Sequence, residues 1–97
     1  ALNLDDNELK FYKNNAVQAS GTAIDITAIA SNPTGFYFFA CGEGAAGSAT
    51  TWEANFGNPS YANTSDAADA NGYGAFEYAP PSGFLALCTK NLGSDGG

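Results

Sequence analysis

Glycine, proline and asparagine interrupt this chain so often that little of it can form a long regular element. Twelve Gly and four Pro in 97 residues, with Asn and Ser around them, cut it into short runs. Runs of that length suit turns and short strands better than helices. The apolar material inside them is mostly Ala and aromatic, with seven Phe, five Tyr and one Trp. The expectation is an all-β chain of about five or six short strands.

At 9.9 kDa there is room for one domain with one core. A domain of this size hides only roughly 60–65% of its unfolded surface, so tight packing, a cross-link or a partner must help it. Three basic residues stand against ten acidic ones, for a formal charge of −7. Such a chain cannot neutralise a phosphate backbone, which argues against nucleic acid as a partner. With no His in the sequence, the commonest general base and metal ligand is missing. A non-enzymatic module with no cofactor and no metal is the reading that follows. No apolar run approaches the ~20 residues of a membrane span.

Local patterning supplies the elements. Leu2 and Leu4 alternate with polar neighbours, Asp5-Asp6-Asn7 marks a turn, and Leu9 and Phe11 resume the alternation, which predicts a hairpin. Lys13-Asn14-Asn15 closes its second arm, since Asn tolerates the left-handed conformation of a tight turn. The strand pattern is already running at Ala1, without a start Met or a leader, which reads as a processed chain or a fragment. Ile24 to Ala28 fits either a half-exposed strand or an irregular segment. Phe36 to Cys41, continuously apolar, is expected as a strand at the centre of the core. Trp52, Ala54 and Phe56 alternate with Glu53 and Asn55 as another strand. Residues 58–74 have no period and read as a long functional or mobile loop. Phe76 and Tyr78 restart a short strand, 84–88 is a last apolar segment, and 93–97 is a Gly-rich tail or linker. Cys41 and Cys88 are read as free buried thiols, with a disulfide as the alternative.

Several motifs suggest chemistry that their context does not support. Gly42 to Gly47 matches a dinucleotide-binding glycine pattern, but a strand pattern rather than a helix follows it. Asp66, Asp69, Asn71 and Gly72 resemble a calcium loop, yet the acidic positions are out of register by one. Glu43, Glu53 and Glu77 are the carboxylates available for glycoside hydrolysis, and Glu53 and Glu77 read more simply as outward strand positions. Asn63-Thr64-Ser65 is a glycosylation sequon that matters only in a secreted eukaryotic protein. Trp52 reads as core from its alternation with Glu53. Tyr61 and Tyr73, flanked by small polar residues, serve equally well as core or as an aromatic ligand platform.

Four segments carry a family resemblance. Glu8 to Asn15 resembles the "L-x-F-Y-K-N-G" hairpin of SPRY (B30.2-like) domains, and Ala1 to Asn7 is similar to the strand and turn before it. Trp52 to Gly57 resembles the "V-x-x-N-F-G" strand. Phe76 to Leu92 resembles the ending "F-x-Y-x-P-P-x-G-F-x-A-L-x-T-x-N-L", in the form found in bacteriophage and prophage virion proteins. Asn15 stands where the family has Gly, and residues 58–74 are an insertion. The resemblance implies an antiparallel β-sandwich of which residues 1–92 are the C-terminal part, since the family's N-terminal strands have no counterpart here. It also implies a virion-surface component such as a tail fibre or capsid decoration, with no catalytic residues to carry over. Its end loops would bind a host-receptor protein, a glycan or another protein. Tyr61, Asp66, Asp69, Asn71 and Tyr73 are the candidate binding residues. The alternative is a scaffold piece that packs only against neighbouring subunits or the rest of its own domain.

Overall fold

A computed structural model of the chain describes residues 1–27, 37–44, 46–47 and 49–95. Its strands are antiparallel and two residues long: β1 (Leu2–Asn3), β2 (Glu8–Leu9), β3 (Tyr12–Lys13), β4 (Ala16–Val17) and β5 (Ile24–Asp25). One short helix, α1 (Thr89–Asp95), closes the described chain.

The first hairpin forms where the alternation predicts it. Leu2 pairs with Leu9 and Asn3 with Glu8. The ladder gains a reciprocal pair as the Lys10 N–H donates to the Ala1 carbonyl (2.8 Å) and the Ala1 amine donates to the Lys10 carbonyl (2.7 Å). Its turn is built by side chains: Asn3 Oδ1 accepts from the amides of Asp5 and Asp6, and Asn3 Nδ2 donates to Asp6 Oδ2. Asn7 completes the turn at φ 55°. The β3–β4 hairpin turns on Asn14 and Asn15 at φ 49° and 64°. Two successive left-handed residues match the right-handed twist of the flanking strands, and Asn pays less than most residues to adopt them. Strand β5 pairs with β2, giving the order β1-β2-β5 and settling Ile24–Asp25 as strand.

Beyond residue 25 the expected strands are not found where the structure describes the chain. Tyr37 to Cys41 has no regular structure, and instead of centring a core it is exposed, with Phe38 at 87% of its full surface. Phe36 and the end of the Ile24–Ala28 segment lie outside the described residues. The Tyr37 hydroxyl donates to the Ile26 carbonyl (2.7 Å), tying this segment to the end of β5. Trp52 to Phe56 is irregular too, and Trp52 is 58% exposed rather than buried. Period-2 alternation specifies a strand only when a neighbouring strand takes up the backbone hydrogen bonds. Residues 76–78 contribute a single bridge, Ala67 to Phe76, in place of a strand. The expected tail at 93–97 begins inside α1. Both cysteines are free thiols, but Cys41 is exposed and Cys88 half-buried rather than both buried.

Burial concentrates in the second half. Among the described residues the buried ones are Ala86, Asp69 and Asn91, and the last two are polar. The chain exposes 7475 Å². A compact protein of this mass would expose about 5200 Å².

Candidate functional site

Residues 58–74, expected as a long functional or mobile loop, are pinned by hydrogen bonds along their length. At the start, the Asn55 side chain acts as a clamp: Oδ1 accepts from the Gly57 amide (2.8 Å) and Nδ2 donates to the Ala75 carbonyl (2.8 Å). The Ala75 amide returns a bond to the Gly57 carbonyl (3.0 Å). Gly57 and Gly74 meet here at φ +113° and +91°, and a Cβ on Gly57 would stand 3.2 Å from the Gly74 Cα. Only bare backbone fits such an approach in that conformation.

The middle of the loop is held by two side chains. Asn63 Nδ2 donates to the Ala75 carbonyl (3.0 Å), and its Oδ1 accepts from the Asp66 amide (3.0 Å). Both ends of the sequon amide are thus engaged. Glu77, a candidate for glycoside chemistry by residue type, accepts from the Thr64 amide (2.8 Å), the Thr64 hydroxyl (2.7 Å) and the Ser65 hydroxyl (3.4 Å). Those bonds, led by the Thr64 amide, lower its pKa and favour the carboxylate. Held as an anion by donors, Glu77 is placed to anchor the loop rather than to supply a proton.

Asp69 sits at the hub, only 8% exposed. Oδ1 accepts from the amides of Asn71 (3.0 Å) and Tyr73 (2.9 Å). Oδ2 accepts from the Ala86 amide (2.9 Å) and from Asn91 Nδ2 (2.6 Å). Burial alone would raise its pKa, but the bonds from Tyr73, Asn91, Ala86 and Asn71 outweigh it and lower the value from 3.8 to about 2. Asn91, on α1, adds a bond from Nδ2 to the Ala86 carbonyl (2.8 Å), and its Oδ1 accepts from Asn71 Nδ2 (2.9 Å). One carboxylate and one amide therefore join the loop, the 84–88 segment and α1.

The five candidate binding residues accordingly separate by environment. Asp66 is exposed at φ 45°, and Asn71 is exposed with its amide leaning on Asn91. Tyr61 is half-buried. Tyr73 is half-buried as well, with the Lys90 ammonium 5.4 Å from the centre of its ring. Asp69 faces inward with both oxygens occupied, so it positions the loop and offers nothing to an incoming group. The same occupancy leaves it no lone pair directed at a calcium ion, and among the described residues there is no cluster of three or more metal-ligating side chains. Asn91, Asn55 and Glu77, the residues that fix the site, were not singled out for that role by any local pattern. Asparagines and a glutamate among polar neighbours give no signal of their long-range partners.

Comparisons with protein-family models, with curated proteins and with solved structures find no match to this chain. Among the described residues, no helix is long and apolar enough to cross a membrane.

Proposed function

We propose that this chain is a non-catalytic binding module of a virion-surface protein, the C-terminal part of a SPRY-like antiparallel sandwich that offers its loops to a host-receptor protein, a glycan or another protein. The residue patterns at 1–15, 52–57 and 76–92 support the family and the virion setting. One observation carries the binding role: the 58–74 loop is fixed by Asn55, Asn63, Glu77 and Asp69 while Asp66 and Asn71 remain exposed on it. A loop ordered before contact loses little conformational freedom when a partner arrives, so more of the contact energy is kept as affinity.

The test is the double variant Tyr61→Ala/Tyr73→Ala. Tyr73 reaches the hub through its backbone alone, so truncating its ring leaves those hydrogen bonds in place. Binding to host cells, or to glycans and proteins isolated from their surface, should weaken by tenfold or more, about 1.4 kcal/mol, while the thermal midpoint moves little. Equal binding by the double variant and the parent would remove the loop from the proposal.

A scaffold role is the second reading, and the exposed aromatics favour it. Phe38, Phe39 and Trp52 lie on the surface of a chain that exposes far more area than its mass requires. Substituting Phe38 and Phe39 by Ser should abolish co-assembly with neighbouring virion subunits, measured by sedimentation, and leave loop-mediated binding unchanged. Assembly that survives both substitutions would count against this role.

A further inference from the structure

We propose that Asn71-Gly72 is a self-modifying site: the Asn71 side chain deamidates when the Asp69–Asn91 hub opens, and the product then keeps the hub from closing as before. This goes beyond the binding role and does not depend on it. Asn71 is the one asparagine in the chain that is followed by Gly. With no Cβ at position 72, the backbone there is freer to bring its nitrogen onto the Asn71 side chain than the backbone after any other asparagine. The attack forms a bond from the Gly72 nitrogen to Asn71 Cγ and breaks the bond from Cγ to Nδ2. The proton of the Gly72 amide is given up and ammonia departs, leaving a cyclic imide. Water then opens the imide on one side to aspartate or on the other to isoaspartate, and no further reagent is needed.

Burial does not protect this pair, since both residues face solvent. Hydrogen bonds do. The Gly72 amide, which must lose its proton to attack, donates to the Asp69 carbonyl (3.0 Å). Asn71 Nδ2, the leaving nitrogen, donates to Asn91 Oδ1 (2.9 Å), and the Asn71 amide donates to Asp69 Oδ1 (3.0 Å). The attacking and the leaving nitrogen are therefore both tied to the hub, and an amide proton held in such a bond meets base only when the bond opens. The product cannot restore the arrangement. An oxygen stands where Nδ2 was, so Asn91 Oδ1 loses that donor. In the isoaspartate form the backbone also gains a methylene between residues 71 and 72. Asp69 Oδ1 accepts from the amides on either side of that insertion, Asn71 (3.0 Å) and Tyr73 (2.9 Å), and the lengthened chain no longer presents both at the same spacing.

The test incubates the folded parent, the parent unfolded in guanidinium chloride, Asn91→Ala and Leu9→Ala in mildly alkaline buffer. Peptide mass mapping follows the replacement of NH₂ by OH at Asn71. The folded parent should deamidate at least about tenfold more slowly than the unfolded chain, and Asn91→Ala at least about tenfold faster than the folded parent, because the rate follows the open fraction. Leu9→Ala removes a side chain from the β1–β2 ladder, away from the hub, and should match the parent. Aged parent, separated from the unmodified chain by anion exchange, should exchange its Tyr73 and Ala86 amide hydrogens faster than fresh chain, since both amides donate to Asp69. Absence of deamidation at Asn71 in the unfolded chain, equal rates in the folded and unfolded parent, or a rise in Leu9→Ala equal to that in Asn91→Ala would each overturn the inference. So would unchanged exchange in the aged chain. The folded-against-unfolded comparison and the aged chain decide the matter even where Asn91→Ala fails to fold.

Discussion

Replacing Asn91 with Ala tests whether a polar hub, rather than an apolar core, holds the second half of this chain together. The side chain is 6% exposed and, among the described residues, donates to a carboxylate oxygen at 2.6 Å and to the Ala86 carbonyl at 2.8 Å and accepts from Asn71 Nδ2 at 2.9 Å. A hydrogen bond to a charged group contributes about 1.5–3 kcal/mol, and the neutral ones about 1 kcal/mol each. The truncation also leaves the Ala86 carbonyl in a buried position without this partner. Allowing for water that enters the vacated space, the expected loss is roughly 3 kcal/mol. A domain of this size is stable by only about 5–15 kcal/mol, so the thermal midpoint should fall by on the order of 12–24 °C. Urea unfolding followed by near-ultraviolet circular dichroism gives the free energy, and hydrogen exchange at the Ala86 and Tyr73 amides reports whether the hub itself has opened. Ser60→Ala, at an exposed position, is the control and should change stability by less than about 0.5 kcal/mol. A loss below about 1 kcal/mol in Asn91→Ala, or unaltered exchange at those two amides, would refute the assignment of the hub.

Two further outcomes follow from the same geometry. Asp69 is depressed from 3.8 to about 2 in the folded chain, so its contribution to stability is fully present above about pH 4 and is lost as the pH falls towards 2. Asp69→Asn should be less stable than the parent at pH 7, because its NH₂ must face donors, and acid titration of stability should show that this part of the pH dependence has gone. Gly74→Ala should cost about 3 kcal/mol, since its Cβ would run into the Phe76 ring at a φ of +91°. A denaturation midpoint within error of the parent's would show that the Phe76 ring yields to a Cβ at position 74 and that glycine is not required there.

Sparse burial moves the source of this chain's stability away from apolar area. Leu4, Phe11, Phe38 and Trp52 are each more than half exposed, while Asp69 and Asn91 are nearly covered. Apolar area that stays in water contributes nothing to folding, whereas a buried carboxylate with four donors is satisfied without a counter-ion. Order in the second half therefore depends on hydrogen-bond geometry more than on area. That is why the substitutions with the largest expected effects are at Asn91 and Gly74 rather than at an aromatic residue.

The local part of the fold follows from residue type. Asp5-Asp6-Asn7 and Asn14-Asn15 mark turns, so the β1–β2 hairpin and the turn after Lys13 were legible from residue type, whereas the separation of β2 from β3 and the partner strand β4 at Ala16–Val17 were not. The acidic charge and the absence of His were equally plain. Tertiary structure alone decided the rest. The partners of Asp69 stand 17 and 22 residues away at Ala86 and Asn91, and Glu77 reaches back 13 residues to Thr64. No residue pattern announces such a pairing, because a carboxylate in a polar loop has the same sequence neighbours whether it is solvated or buried. Alternation at 52–56 and continuity at 37–41 misled for the matching reason. Both describe a side chain's suitability for a strand, and a strand also needs a neighbour to accept its backbone hydrogen bonds.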